Sequence, residues 1–380
     1  MCGSWHRCPP GDYRVSLIFG DLKDFPEEAR GSTSYVRRMR TRRRRYWIGI
    51  AVGAAAIVAA LATTLALTTR ASNDEATTRG VTATVRVPSH PGWISAGLDG
   101  LWVALNPSAE RPVRRGSLLR LDASGKVERS IRMDGGVFTT ARLGNRLFAS
   151  LQPAGDDGFG RGRLLALDWR SGRMLASRNL AGPGGALALG AGSLWLLQVR
   201  PATLLCLDPR TLLDEAPPLR LSRGRAFGIA FGAGHVWVTD SEADQLIRIH
   251  PATRVITRIP VGGFPVGVTV AGGEVWLAHR DDGDVVRGDP RTLKQIGESI
   301  EVGDTPTYMT ATRDYLFVAN QSDGTVTRID LDTGQKVGAP IRIAPPSEID
   351  AAAFVPAAVG RAVWVSSFTA DTITRIEPSP

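Results

Sequence analysis

Cysteine is scarce in this chain of 380 residues: Cys2, Cys8 and Cys206 are the whole complement. Only Cys206 lies beyond residue 45, so no internal disulfide can staple the body of the protein and its fold must rest on packing. Cys2, His6 and Cys8 crowd into seven residues and match no common zinc spacing. Lysine is almost missing, with 4 residues against 42 arginines, an imbalance that reads as coding bias rather than as a selected basic surface. Of the net charge of +9, residues 1–45 hold +6, from 11 basic and 5 acidic groups, and the remaining 335 residues hold only +3. That distribution excludes a nucleic-acid-binding body. Gly-x-Ser-x-Gly, His-Glu-x-x-His and a phosphate-binding glycine loop are also absent, which removes three common frameworks for catalysis. Long apolar runs are lacking too, except one at residues 46–69.

What the chain has instead is a repeat. Blocks of twelve residues end at Trp102, Phe148, Trp195, Trp237, Trp276, Phe317 and Trp364, each aromatic preceded by Leu or Val. Their spacings are 46, 47, 42, 39, 41 and 47 residues, the period of a four-stranded propeller blade. Three positions before the aromatics stand Asp99, Asn145, Gly192, Gly234, Gly273, Asp314 and Arg361. All but the last tolerate positive φ, so each block predicts strand, tight turn, strand. A second landmark follows each aromatic by 20 residues in the first two repeats and by 13 in the other five, as in Leu207-Asp208 or Ile329-Asp330. Runs such as 326–330 carry the β-branched residues of strands. The expectation is an all-β, seven-bladed β-propeller over residues 81–380. Its last blade lacks a fourth strand of its own, which the strand at 81–87 supplies, so that the ring closes without exposed edges. The seven aromatics are read as core, and Cys206 as an inert thiol packed between blades.

The uncharged run 46–69 has 24 residues, about 36 Å as a helix at roughly 1.5 Å per residue, enough to cross a hydrocarbon core. Seven arginines between Arg37 and Arg45 precede it, which puts the amino terminus in the cytoplasm and the propeller outside. The organisation expected is a basic cytoplasmic tail (1–45), one transmembrane helix (46–69), a polar tether (70–80) and the propeller. No Cys follows the apolar run, which excludes a lipoprotein anchor. An uncleaved anchor fits its length better than a cleaved signal, and Met39 is an alternative translation start. Gly49 and Gly53 form a Gly-x-x-x-Gly pair of the kind that brings two such helices together as a homodimer.

Candidate binding residues fall in the loops. Asp240 follows Trp237, His279 and Arg280 follow Trp276, and Asn320 follows Phe317. Alternating carboxylates there suggest a hard cation, but turn chemistry alone explains them. Blades one and two carry seven extra residues each, around 106–116 and 152–162, and a long connection at 344–352 leads into blade seven. In a closed ring these three neighbour one another on one face, which nominates Arg111, Arg114, Arg115, Asp156, Asp157 and Glu348.

From residue 81 to 380 the repeats resemble bacterial propellers of the YVTN and NHL type, in phrases such as Pro265-Val-Gly-Val-Thr-Val and Val326-Thr-Arg-Ile-Asp. The Gly-Ile…Gly-x-Gly-x-x-Trp pattern at 228–237 is similar to the streptogramin (virginiamycin B) lyase group. That resemblance implies a seven-bladed fold and, for the lyases, opening of a cyclic depsipeptide ester by metal-assisted elimination with a His as acid/base. Their blades read Trp-Phe-Thr-Glu, whereas the nearest run here is Trp237-Val-Thr-Asp. The function expected is a membrane-anchored extracytoplasmic module that binds a protein, peptide or envelope component, with no nucleic acid and no cofactor. The alternative is a metal-dependent lyase or hydrolase with its site in the propeller mouth, using a divalent metal.

Overall fold

The structure, a computed structural model, describes residues 76–106, 115–154, 160–347 and 355–377. The expected tail and membrane span at 1–69, and the first residues of the tether, lie outside them. Among the described residues every regular element is a strand, and the 28 strands form seven antiparallel sheets of four.

The inner strands of blades one to seven are Pro91–Gly97, Gly135–Leu143, Gly185–Gly190, Ala226–Gly232, Pro265–Ala271, Pro306–Ala311 and Pro356–Val359. Each touches the inner strand of the next blade, and the last touches the first, so the sheets close into a ring about a central channel. The anchor aromatics sit on the second strands and are all buried between blades, none more than 3% exposed. A buried indole N–H needs an acceptor. Trp195, Trp237 and Trp276 donate to the carbonyls of Gly190, Gly232 and Ala271, five residues back across their own hairpin, at 3.0–3.2 Å. Trp102 differs and reaches into blade two, donating to Trp169 O at 2.7 Å. Cys206 is buried, and desolvation pushes its thiol up from the ordinary value.

The turn residues differ in detail from the sequence reading. Positive φ falls on both central residues of the hairpins at Ala191-Gly192, Ala233-Gly234 and Gly272-Gly273. In blades two and seven it falls on Gly144 and Gly360 instead, one residue before Asn145 and Arg361. In blade one it falls on Gly100. The hairpin therefore tolerates a non-glycine at the expected position wherever a neighbouring glycine takes the left-handed conformation.

The ring is closed as expected. Val81–Arg86 pairs antiparallel with Thr372–Ile376, from Val81 opposite Ile376 to Arg86 opposite Thr372, and becomes the outer strand of blade seven. The tether is more than a spacer at its end: Thr77 N donates to Pro340 O and Thr77 O accepts from Arg342 N, which stitches it to the outer edge of blade six.

Deleting 81–88 is expected to expose two sheet edges and cause aggregation, whereas deleting 70–75 leaves the melting temperature unchanged. Truncating Ile373, fully buried beside this seam, to Ala should cost about 2–5 kcal/mol in denaturant unfolding. Equal tolerance of the two deletions would contradict the seam's role.

Candidate functional site: the loop-face rim

Strand direction divides the ring into two faces. The inner-to-second hairpins and the third-to-outer turns share one, the hairpin face. The second-to-third loops and the connections into the next blade share the other, the loop face. The position three residues after the anchor aromatic, the last of the second strand in every blade but the second, therefore rims the loop face. Those positions hold Leu105, Leu151, Gln198, Asp240, His279, Asn320 and Ser367. Blades one and two are apolar there and blades three to seven polar.

Asp240, His279 and Asn320, read from sequence as loop residues, are thus the ends of strands, 1%, 5% and 0% exposed. A residue at the end of a strand inherits the strand's alternation, and at this register the side chain turns inward. The loop leading into each blade presses on it: an added Cβ at Gly263 would lie 2.6 Å from the His279 ring, and one at Gly303 would lie 2.6 Å from Asn320 Nδ2. Glycine is required at these contacts by close approach. The 16- or 17-residue spacing from that glycine to the rim side chain was a legible signal that the sequence reading did not use.

The rim groups are only partly satisfied. Asn320 Nδ2 donates to Thr325 and Thr327 at 3.0 and 2.9 Å, and His279 Nδ1 lies 3.0 Å from Asp284 Oδ1. Burial pushes Asp284 up, but the His279 and Ser299 hydrogen bonds and the adjacent imidazole outweigh it and hold the carboxyl below its ordinary value. Burial dominates at Asp240 and raises its carboxyl, against hydrogen bonds from Ser222 and the Ala243 amide. Asp240 Oδ1, His279 Nε2, Asn320 Oδ1 and Gln321 Nε2 make no hydrogen bond to a described protein group. Blades four to six therefore present a buried polar arc able to bond water or a polar ligand at the mouth. Arg280 pairs with Asp281 at 3.9 Å, and Arg115 is exposed beside the base of the blade-one loop. Arg111, Arg114, Asp156, Asp157 and Glu348 lie outside the described residues.

Below the rim lies a contact inside the ring that no sequence argument named. Trp93 of blade one and Tyr308 of blade six meet edge to face, ring centres 4.9 Å apart. They sit on inner strands separated by blade seven, so they meet inside the ring. Each stands nine residues before its anchor aromatic, which was the available clue. Burial raises the Tyr308 hydroxyl far above its ordinary range, which keeps it neutral.

The hairpin face carries a separate feature, an open groove of about 470 Å³ lined by Leu98, Asp99, Arg142, Asn145, Trp169 and Arg170 among others. Arg142 stacks over Trp169 at 3.9 Å, and Trp169 Nε1 donates to Asp99 Oδ1 at 2.8 Å. Burial pushes Asp99 up, but that bond and the charges of Arg120 and Arg142 bring it below its ordinary value. Among the described residues no three His, Cys, Asp or Glu side chains group so as to hold a metal ion.

The architecture defines a seven-bladed β-propeller, and solved structures of that class match it. A catalytically inactive virginiamycin B lyase from Staphylococcus aureus with quinupristin superposes with a TM-score of 0.61 at 12% identity, covering 78% of this chain and 99% of that one. A streptogramin B lyase matches at 0.59 and 15% identity, covering 78% and 96%. The Cps50 (Swd1) propeller domain of Myceliophteria thermophila matches at 0.58 and 13% identity, covering 79% and 99%. At these identities the likeness is one of fold, shared by the lyases and the Cps50 propeller domain alike. No family model matches the chain, and no curated protein matches it by sequence.

The raised Asp240 carboxyl sets a pH dependence. A carboxyl that is more basic in the folded than in the unfolded chain destabilises when ionised. That penalty is absent below the unfolded pKa of about 3.9 and grows as pH rises through the folded value. Asp240→Asn should therefore raise the urea midpoint over the parent at pH 7, a gain that vanishes below about pH 4. A variant less stable than the parent at pH 7 would show that the ionised carboxylate is structurally required.

Proposed function

We propose that the protein is a membrane-anchored extracytoplasmic binding module that captures a protein, peptide or envelope component on the loop face of blades seven, one and two. The observation that carries this reading is where the three long connections are rooted. Their described ends leave the loop face of three adjacent blades. The base of the blade-one connection is clamped to blade two, since Asn106 exchanges hydrogen bonds with Val137 and Gly116 N donates to Gly135 O. The blade-two connection is clamped to blade three through Gly162 and Gly182. Long loops on fixed bases are the usual way a rigid repeat scaffold presents a recognition surface. The Cps50 domain and the Pan2 WD40 domain of Neurospora crassa share the fold.

A second reading, metal-dependent elimination in the mouth, draws on one observation: the buried His279 pairs with the half-buried Asp284 at the rim, on the fold of the lyases. The rim would supply the His as acid/base, with a divalent ion as electrophile.

Replacing Arg111, Arg114, Arg115, Asp156 and Asp157 with Ala should abolish capture of envelope proteins or cell-wall fragments by the full chain without changing its melting temperature. Quinupristin incubated with the protein and Mg²⁺ should stay cyclic by chromatography. Ring opening that is lost in His279→Ala would favour the lyase instead. The anchor is tested by protease on spheroplasts, which should remove a propeller epitope and spare a tag at residue 1; a protected propeller would refute the topology.

A further inference from the structure

Six large apolar side chains among the described residues are exposed: Leu98, Val127, Leu143, Met174, Leu213 and Val255. All six lie at one end of the molecule. Leu98 and Leu143 sit at the inner-to-second hairpins of blades one and two, and the other four sit where the third-to-outer turns enter the outer strands of blades one to four. These are hairpin-face positions, on the side away from the rim. The exposed cations Lys126, Arg170, Arg173 and Arg210 stand among them in the same turns.

The acids of those turns are spent locally. Asp122 accepts from Ser124 and the Lys126 amide, Asp168 from Ser171, and Asp208 from the Arg210 and Thr211 amides. Asp214 is paired with Arg178, and Glu215 with Ser193. Asp99 is held by Trp169 and faced by Arg120, Arg142 and Arg170, so even the groove has an excess of positive charge. A sector of protruding aliphatic side chains interleaved with cations, its carboxylates already held by neighbouring donors, is complementary to an anionic lipid surface. There the apolar tips enter the headgroup layer and the cations meet phosphates.

We infer that the hairpin face of blades one to four rests on anionic phospholipid, with the Arg142–Arg170 groove taking headgroup phosphate. The inference builds on the proposed membrane anchor. On that anchor, residues 70–76, which precede the fastened Thr77, extend at most about 23–25 Å, so the chain length allows the propeller to touch the bilayer. With this face down, the loop face and its long connections point away from the membrane.

The full chain, with Cys2→Ser and Cys8→Ser, is reconstituted in vesicles of phosphatidylcholine with or without phosphatidylglycerol, both containing doxyl-labelled lipid. Bimane is attached at Leu213→Cys on the hairpin face or at Arg223→Cys on the loop face. Quenching at 213 but not at 223, dependent on phosphatidylglycerol, is the expected result. Neutralising Lys126 or Arg210 to Gln, each exposed and outside the core, should lower the fraction in lipid contact about fivefold per charge. Quenching at neither site, quenching at 223, or a change in bimane emission at 213 that follows protein density and ignores phosphatidylglycerol would overturn the inference; the last would assign the face to a second copy. Alkaline carbonate separates the two readings. Protein that washes off refutes the anchor, and cosedimentation of that washed protein with phosphatidylglycerol vesicles then decides the face alone.

Discussion

Contact between neighbouring sheets is the constraint on which the rest of this protein depends. A four-stranded sheet of this size cannot bury both of its faces alone, and here each is covered by the blade beside it. The aromatic on every second strand fills that interface, and glycines on the inner strands make room for the neighbour. An added Cβ at Gly190 would stand 1.9 Å from the Phe231 ring of the next blade. Because the blades meet at a fixed spacing, their inner strands define a channel of fixed width. Two rings from blades that are not neighbours can then meet inside it. The rim, the Trp93–Tyr308 contact and the two faces are consequences of that one packing relation.

Much of the architecture was legible because it is periodic. The aromatic anchors recur, their burial follows from strand alternation, and the Asp at the end of the third strand in blades one, two, three, five and six is a local turn device whose partners lie two to four residues away. The seam was legible by subtraction, since blade seven needed a strand and the segment before blade one was unassigned. Features that depend on register or on ring closure were not. Register shifts interrupt the inner strands of blades one, two, four, five and six near their loop-face ends, and they decide which way Trp93 or Tyr308 points. No count along the sequence reveals that residues 93 and 308 touch. Asp240, His279 and Asn320 were singled out, but as loop residues. Their burial follows from the lead-in loop folding over them, a contact between segments 16 or 17 positions apart that turn propensities do not encode.

The two faces divide the chemistry. The loop face has buried, partly satisfied polar groups in blades four to six and the rooted long connections in blades seven, one and two. The hairpin face has protruding aliphatics, arginines and a shallow groove. A rigid ring can hold these apart because stability resides in the interfaces between blades, leaving the turns on both faces free to vary.

The seam also has a consequence in time. Thr84 and Thr374 stand opposite each other at 3.5 Å, yet 290 positions separate them along the chain. At synthesis rates of roughly 5–20 residues per second, the first strand waits about 15–60 s for its partner to be made. Throughout that interval Val81–Arg86 is an unpaired strand with no sheet to join, while six blades accumulate behind it. The ring is thus completed by a strand made early and one made late, and removal of Thr372–Ile376 leaves Val81–Arg86 without a partner. Such a seam reports that blade seven has been made, because Thr372–Ile376 decides whether Val81–Arg86 ever joins a sheet.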